Sequence, residues 1–165
     1  MPRRGRVELL VADLAVIAEA QRVVAQVRAR CGRLHLLVLD AAVSLGQRVL
    51  TRAGIERTFA TNHLAPFMLA TGLADLLRTS APARVVVVSS ELHRLGCIDV
   101  DRLRHGGRRY SGLLAYVASK LANVLFGRRA RTASAGHRRT VNSVSPGFVR
   151  STSAADVATA ASATC

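Results

Sequence analysis

A tyrosine and a lysine stand four residues apart in the segment Tyr116-Val117-Ala118-Ser119-Lys120. Lys120 is the only lysine, although lysine and arginine together number 24. Four residues make about one helical turn, so the phenol and the ammonium would share one face. At ~4 Å and an effective dielectric of ~20, a cation stabilises a phenolate by roughly 4 kcal/mol. The spacing predicts a general acid or base at Tyr116; the alternative is an ordinary helical pair.

Strands and helices alternate along the chain. Apolar runs predict four strands, at residues 7–11, 34–39, 84–90 and 140–144. Apolar residues recur at helical spacing over residues 14–31, 55–77 and 116–135, with a bend expected near Pro66. The strands at 34–39 and 84–90 lack polar alternation, which is typical of a parallel sheet covered on both faces.

Polar or turn-forming residues follow each predicted strand: Asp13, Asp40, the pair Ser89 and Ser90, and the turn Pro146-Gly147. Ligands of parallel α/β sheets bind beyond the carboxyl ends of the strands, so these residues are expected to face one crevice. Each has a structural alternative. Asp13 could cap the following helix, and the serines could simply end a strand.

Composition limits the classes of partner. The net charge of +14 would suit a nucleic-acid binder. However, the arginines are scattered and aromatic residues amount to only 4%, so no nucleic-acid partner is expected.

The three cysteines, Cys31, Cys97 and Cys165, have neither disulfide-framework nor zinc-ligand spacing, so no metal is expected. With no apolar run as long as a membrane span and no signal peptide core, a cytoplasmic protein is expected.

Taken in order, these segments resemble the short-chain dehydrogenase/reductase family, most closely its retinol-dehydrogenase-like branch. The resemblance extends from about Val7 to Thr152, and no single segment of it is specific by itself. The matching segments are Asp13-Leu14-Ala15, residues 32–38, Phe59-Ala60-Thr61-Asn62-His63-Leu64, residues 84–96, residues 115–126 and residues 141–152.

The resemblance implies hydride transfer between NAD or NADP and a small-molecule alcohol or carbonyl. Tyr116 would be the acid/base, and Lys120 would make it more acidic and hold the nicotinamide ribose. Ser90 would bind the substrate oxygen and Asn62 would anchor a water of the proton relay, although Asn62 could also make only a structural hydrogen bond. Cofactor contacts are implied at four further positions: Asp13, Pro146, Gly147 and Thr152.

The sequence departs from the family pattern at three places. It contains no strand, glycine-rich turn and helix to receive the cofactor pyrophosphate. The family's Asn-Asn-Ala-Gly appears as Leu39-Asp40-Ala41-Ala42. The part that shapes the substrate pocket is missing after about Thr152. Because the family's second strand reads the cofactor ribose, NAD and NADP are not distinguished.

The sequence therefore predicts an α/β fold, an incomplete Rossmann-like parallel sheet of about four strands with flanking helices, lacking the first βαβ unit. Residues 1–152 would form the domain, and residues 153–165 a tail of Ala, Ser and Thr. The predicted function is that of an oxidoreductase, truncated at both ends or degenerate. The alternative is a non-catalytic module that pairs with a full-length relative. Without the family's first two strands, residues 7–11 either pair directly with residues 34–39 or leave that sheet edge open. Copies or relatives could associate through an open edge.

Overall fold

The structure is a computed structural model that describes residues 7–105, 110–133, 138–147 and 163–164. Its sheet has three parallel strands, β1 (Leu36–Leu39), β2 (Ala83–Val88) and β3 (Arg139–Val144). A two-residue strand, β4 (Ala163–Thr164), pairs antiparallel with β1, and the strand order is β3-β2-β1-β4. The fold class predicted from the sequence is confirmed.

The strands form where the sequence is continuously apolar. Leu37 and Leu39 in β1, and Val85 and Val87 in β2, are buried. Helices cover both faces of such a sheet, so its strands have no polar side. The helices are α1 (Ile17–Arg30), α2 (Arg57–Phe59), α3 (Ala65–Gly72), α4 (Ala74–Thr79), α5 (Val100–His105) and α6 (Gly112–Thr132).

The predicted strand at residues 7–11 is wrong. These residues form no regular structure, and Val7, Leu9 and Val11 are 92%, 73% and 75% exposed. A strand needs a neighbour to satisfy its backbone hydrogen-bonding groups. The free side of β1 is paired with Ala163–Thr164 instead, so this edge is neither open nor covered by residues 7–11.

The predicted helix at residues 55–77 is divided into α2, a π-helical segment at Ala60–Leu64, α3 and α4. The interruption has a chemical cause at Pro66, in the first turn of α3. Proline has no N–H, so it cannot donate to the carbonyl four residues earlier, which belongs to Asn62. The Asn62 carbonyl is therefore available to a partner outside its own helix.

Three further features concern the cysteines, membrane spans and metal ligands. Cys31 is disulfide-bonded, which its spacing did not predict, and Cys97 is free and exposed. None of the helices in the described ranges has the length and apolar character needed to cross a bilayer. The same ranges hold no group of three or more metal-ligating side chains that could bind an ion.

Candidate functional site

Tyr116 and Lys120 lie on one face of α6, as their spacing predicts. The Lys120 Nζ atom is 5.6 Å from the centroid of the Tyr116 ring, within the range of a cation–π interaction. Tyr116 is half-buried, whereas Lys120 is only 2% exposed. The helix begins after Ser111, whose Oγ accepts the Leu114 N–H. Its regular geometry then brings both side chains to the sheet.

Two hydrogen bonds join Lys120 to the carboxyl end of β2. Its Nζ donates to the Val88 carbonyl at 3.1 Å, and its own carbonyl accepts from Ser89 Oγ at 2.8 Å. Both the side chain and the backbone of Lys120 are thereby fixed against the strand end. The ammonium position is set by the fold and does not depend on a flexible lysine chain reaching into solvent.

Burial lowers the pKa of Lys120 to about 8, because a charged ammonium loses its hydration there. The carboxylate of Asp40, at the end of β1, acts in the opposite direction and favours the charged form. Lys120 is thus a cation near neutral pH that titrates far below an exposed lysine.

Asn62 is completely buried and makes three side-chain hydrogen bonds. It accepts from the Val43 N–H at 2.8 Å, donates to the Val43 carbonyl at 2.9 Å and donates to Ser119 Oγ at 3.1 Å. Ser119 Oγ in turn donates to the Tyr116 carbonyl at 2.6 Å. Asn62, Tyr116 and Lys120 therefore belong to one connected polar cluster.

Asn123 is part of this cluster and was not predicted from the sequence. Its Nδ2 donates to the Asn62 carbonyl at 2.9 Å and lies 3.4 Å from the Val88 carbonyl that also binds Lys120. The Asn62 carbonyl accepts it because Pro66 leaves that group free. The available signal was spacing: Asn123 lies three residues after Lys120, on the same side of α6.

The bonds of Asn123 also fix the tautomer of His63. Because Asn123 Nδ2 faces the Asn62 carbonyl, its Oδ1 is the atom 2.9 Å from His63 Nδ1. An amide oxygen only accepts, so Nδ1 of the histidine carries a proton. Burial lowers the pKa of His63, against the effect of the Asn123 hydrogen bond, so the ring is neutral at pH 7.

Ser90 is the second residue after β2 and is half-buried. Its Oγ accepts the Leu92 N–H at 3.3 Å and caps the 3₁₀ turn at Glu91–Leu95. Its neighbour Ser89, which is buried, contacts α6 instead. The structure thus gives the Ser90 hydroxyl a local capping bond, and its contact with the cluster runs through the neighbouring Ser89.

Asp13 lies apart from these residues and does not cap α1. The helix begins after Val16, which makes no side-chain capping bond. Asp13 Oδ1 accepts the Ala15 N–H at 3.0 Å, and its Oδ2 is 3.1 Å from the Arg57 guanidinium. This ion pair borders a cleft of about 480 Å³ whose lining includes Val16 and Leu50. The Asp13 carboxylate, one of the predicted cofactor contacts, is therefore paired with an arginine.

The turn after β3 is exposed at Pro146 and Gly147. Gly147 has φ of +78°, a left-handed conformation that favours glycine. Thr152, the remaining predicted cofactor contact, lies outside the described residues.

These residues fit one part of a nicotinamide dinucleotide. Lys120 and the half-buried Tyr116 lie at the carboxyl end of β2, where the fold would accept a nicotinamide and its ribose. Among the described residues, none of the strands is followed by a glycine-rich turn that opens a helix, the feature that would receive the cofactor pyrophosphate.

Comparison with known proteins gives consistent matches. A family model described as short chain dehydrogenase matches residues 2–162. The chain is 40% identical to the WW domain-containing oxidoreductase of Gallus gallus over 87% of this chain and 36% of that protein. It is 41% identical to human retinol dehydrogenase 14 over 72% of this chain and 35% of that protein. The chain thus spans about a third of the length of these relatives.

Solved structures share the fold. An uncharacterized protein from Mycobacterium paratuberculosis superposes with a TM-score of 0.76 and 32% identity, over 91% of this chain and 54% of that chain. The RhlG/NADP active-site complex of Pseudomonas aeruginosa superposes with a TM-score of 0.67 and 27% identity, over 87% of this chain and 54% of that chain. With the family match over residues 2–162, these comparisons show that the chain belongs to the short-chain dehydrogenase family.

Proposed function

We propose that this chain supplies the proton-transfer centre of an oxidoreductase that interconverts an alcohol and a carbonyl compound with NAD or NADP. The observation that carries this proposal is the buried Lys120 ammonium, fixed to Val88 and 5.6 Å from the Tyr116 ring. A fixed cation beside a half-buried phenol stabilises the phenolate that forms when Tyr116 gives up its proton.

The polar cluster gives each residue a role. Tyr116 donates a proton to a carbonyl oxygen or removes one from an alcohol. Lys120 supplies the charge, and Asn62 holds α6 to the segment around Val43 through Ser119. Ser90 is proposed to bind the substrate oxygen through its O–H, because Oγ uses only an acceptor lone pair in its bond with the Leu92 N–H.

The nicotinamide cofactor would supply the hydride when bound. Lys120, Tyr116, Pro146, Gly147 and Thr152 are proposed to hold its nicotinamide end, and Asp13 its adenine end, after exchange of the Arg57 contact. The name of the Pseudomonas aeruginosa complex supports NADP, and the names of the retinol dehydrogenases support an alcohol substrate. We propose residues 1–152 as the domain and 153–165 as its tail.

Cofactor binding tests the proposal directly. Fluorescence titration with NADPH and NADH should show saturable binding below about 1 mM, the upper end of ordinary cofactor and substrate affinities. Tyr116→Phe should keep this binding and lose turnover of alcohols. The chain's other tyrosine provides the matched control, Tyr110→Phe, which should keep both.

The results of these experiments distinguish an enzyme from the alternative, a non-catalytic module that pairs with a full-length relative. Absence of saturable binding of both cofactors would contradict the proposed activity. Co-purification with a full-length relative that is unaffected by Tyr116→Phe would favour the non-catalytic pairing module. Association through a sheet edge also stays a prediction, and β3 is the end strand to test because Ala163–Thr164 pairs with β1.

A further inference from the structure

Asp40 and the hydrogen-bond acceptor of Lys120 both lie at the carboxyl edge of the sheet. The parallel register pairs Leu39 of β1 with Val87 of β2, so the next residues, Asp40 and Val88, lie side by side. Neighbouring strands are about 4.8 Å apart. The Val88 carbonyl is the acceptor of the Lys120 ammonium, so the exposed Asp40 lies at the strand position next to that acceptor.

In the described part of the chain, the other groups shown to interact with Lys120 are not anions. From β2 it meets the neutral Val88 carbonyl, and from its own helix the Tyr116 ring. The π-helical segment contributes the neutral Asn62, bonded to Ser119. Among the described residues, the Asp40 carboxylate is the acidic group that acts on Lys120 and counters its desolvation. A buried ammonium without such a partner tends to lose its proton.

We propose that Asp40 is a positioning residue, the counterion that keeps the buried Lys120 ammonium charged and directed at Val88 beside Tyr116. This inference rests on the proposed function, in which that charge assists Tyr116. The family pattern has a neutral asparagine where this chain has Asp40, so the counterion is a feature of this sequence. The Asp40 residue is exposed to solvent, whereas Lys120 is buried.

Because Lys120 is the only lysine, its signal can be observed without overlap from other lysines. Protein labelled with ¹³C-lysine gives one side-chain Cε signal, whose chemical shift follows the protonation of Lys120. Titration without cofactor or substrate should show that Asp40→Asn lowers the pKa of Lys120 by on the order of one unit. Asp40→Glu, which keeps the charge, should leave it close to the wild-type value.

The control is Asp75→Asn, which makes the same chemical change at an exposed carboxylate on α4 paired with Arg78. It should leave the Lys120 titration unchanged. Equal Lys120 pKa values in the wild type and Asp40→Asn would overturn the proposal. Should Asp40→Asn not fold, Asp40→Ser gives the same comparison. Since no turnover is measured, failure of the proposed enzyme activity would not affect the result.

Discussion

Asn62 and Val43 are joined by a pair of hydrogen bonds. The asparagine side chain bonds to both backbone groups of Val43, as the backbone of a neighbouring strand would. Its Oδ1 accepts the Val43 N–H at 2.8 Å and its Nδ2 donates to the Val43 carbonyl at 2.9 Å. The segment that follows β1 is thereby fixed to the π-helical segment. Through Ser119, the same amide reaches the helix that carries Tyr116 and Lys120.

Replacing this amide should strongly destabilise the fold. Asn62→Ala leaves the Val43 N–H and carbonyl and the Ser119 hydroxyl without this partner, and we expect a loss of about 3 kcal/mol in the free energy of unfolding. Urea denaturation measures it. The exposed Asn142 of β3 is the matched control, and Asn142→Ala should change stability by less than about 0.5 kcal/mol. Equal effects of the two substitutions would contradict the role of Asn62.

The two tyrosines should separate catalysis from stability. Tyr116→Phe removes the proposed proton donor and should lower turnover by about 10²-fold or more. Tyr110 donates to the buried Glu56 carboxylate at 3.0 Å, so Tyr110→Phe should mainly cost stability, by about 1 kcal/mol. Turnover assays and urea denaturation of both variants check this. A Tyr116→Phe protein that retains full turnover would exclude the proposed acid/base.

Lys120 should make stability depend on alkaline pH. Its pKa is lowered from 10.5 to about 8 by burial, so between these values the unfolded chain binds a proton that the folded chain releases. Stability rises with pH wherever the unfolded state binds more protons. The wild type should therefore gain up to about 3 kcal/mol relative to Lys120→Met as the pH rises from 8 to 10.5.

The measurement is urea denaturation of both proteins at several pH values in this window. Below pH 8 the difference between them should be constant, because Lys120 is charged in the folded and the unfolded state. Parallel stability curves across the whole window would show that burial does not lower the pKa of Lys120.

His63 should make the protein sensitive to acid. Burial lowers its pKa below the ordinary value of 6.5, so on acidification the unfolded state takes up the proton first and is favoured. His63→Asn keeps a neutral hydrogen-bond donor for Asn123 but cannot take up this proton. Between pH 7 and pH 5, a range that includes 6.5, the variant should therefore lose less free energy of unfolding than the wild type.

Thermal unfolding followed by circular dichroism at each pH tests this expectation. His35 is exposed, so His35→Asn provides the control and should retain the wild-type acid sensitivity. An identical pH dependence in His63→Asn and the wild type would assign the acid sensitivity to other groups.

Local sequence determined the features that depend on periodicity. The apolar run at residues 84–90 covers all of β2 except its first residue, and the helical spacing at residues 116–135 covers most of α6. Since a helix repeats about every four residues, the sequence also determined that Tyr116 and Lys120 share a face. The ordered segments were sufficient to predict the family, which the comparisons confirm.

The tertiary structure decided what depends on partners distant in sequence. Residues 7–11 have the composition of a strand, but Ala163–Thr164 takes the side of β1 that they would need. The Asn62 carbonyl became available through Pro66, yet only packing brought Asn123 to it. Likewise, Lys120 is buried because α6 packs on the sheet, and the register of β1 and β2 places Asp40 next to Val88, the acceptor of Lys120. Hydrogen-bond partners and desolvation depend on which segments distant in sequence pack together, and a local sequence pattern does not contain that information.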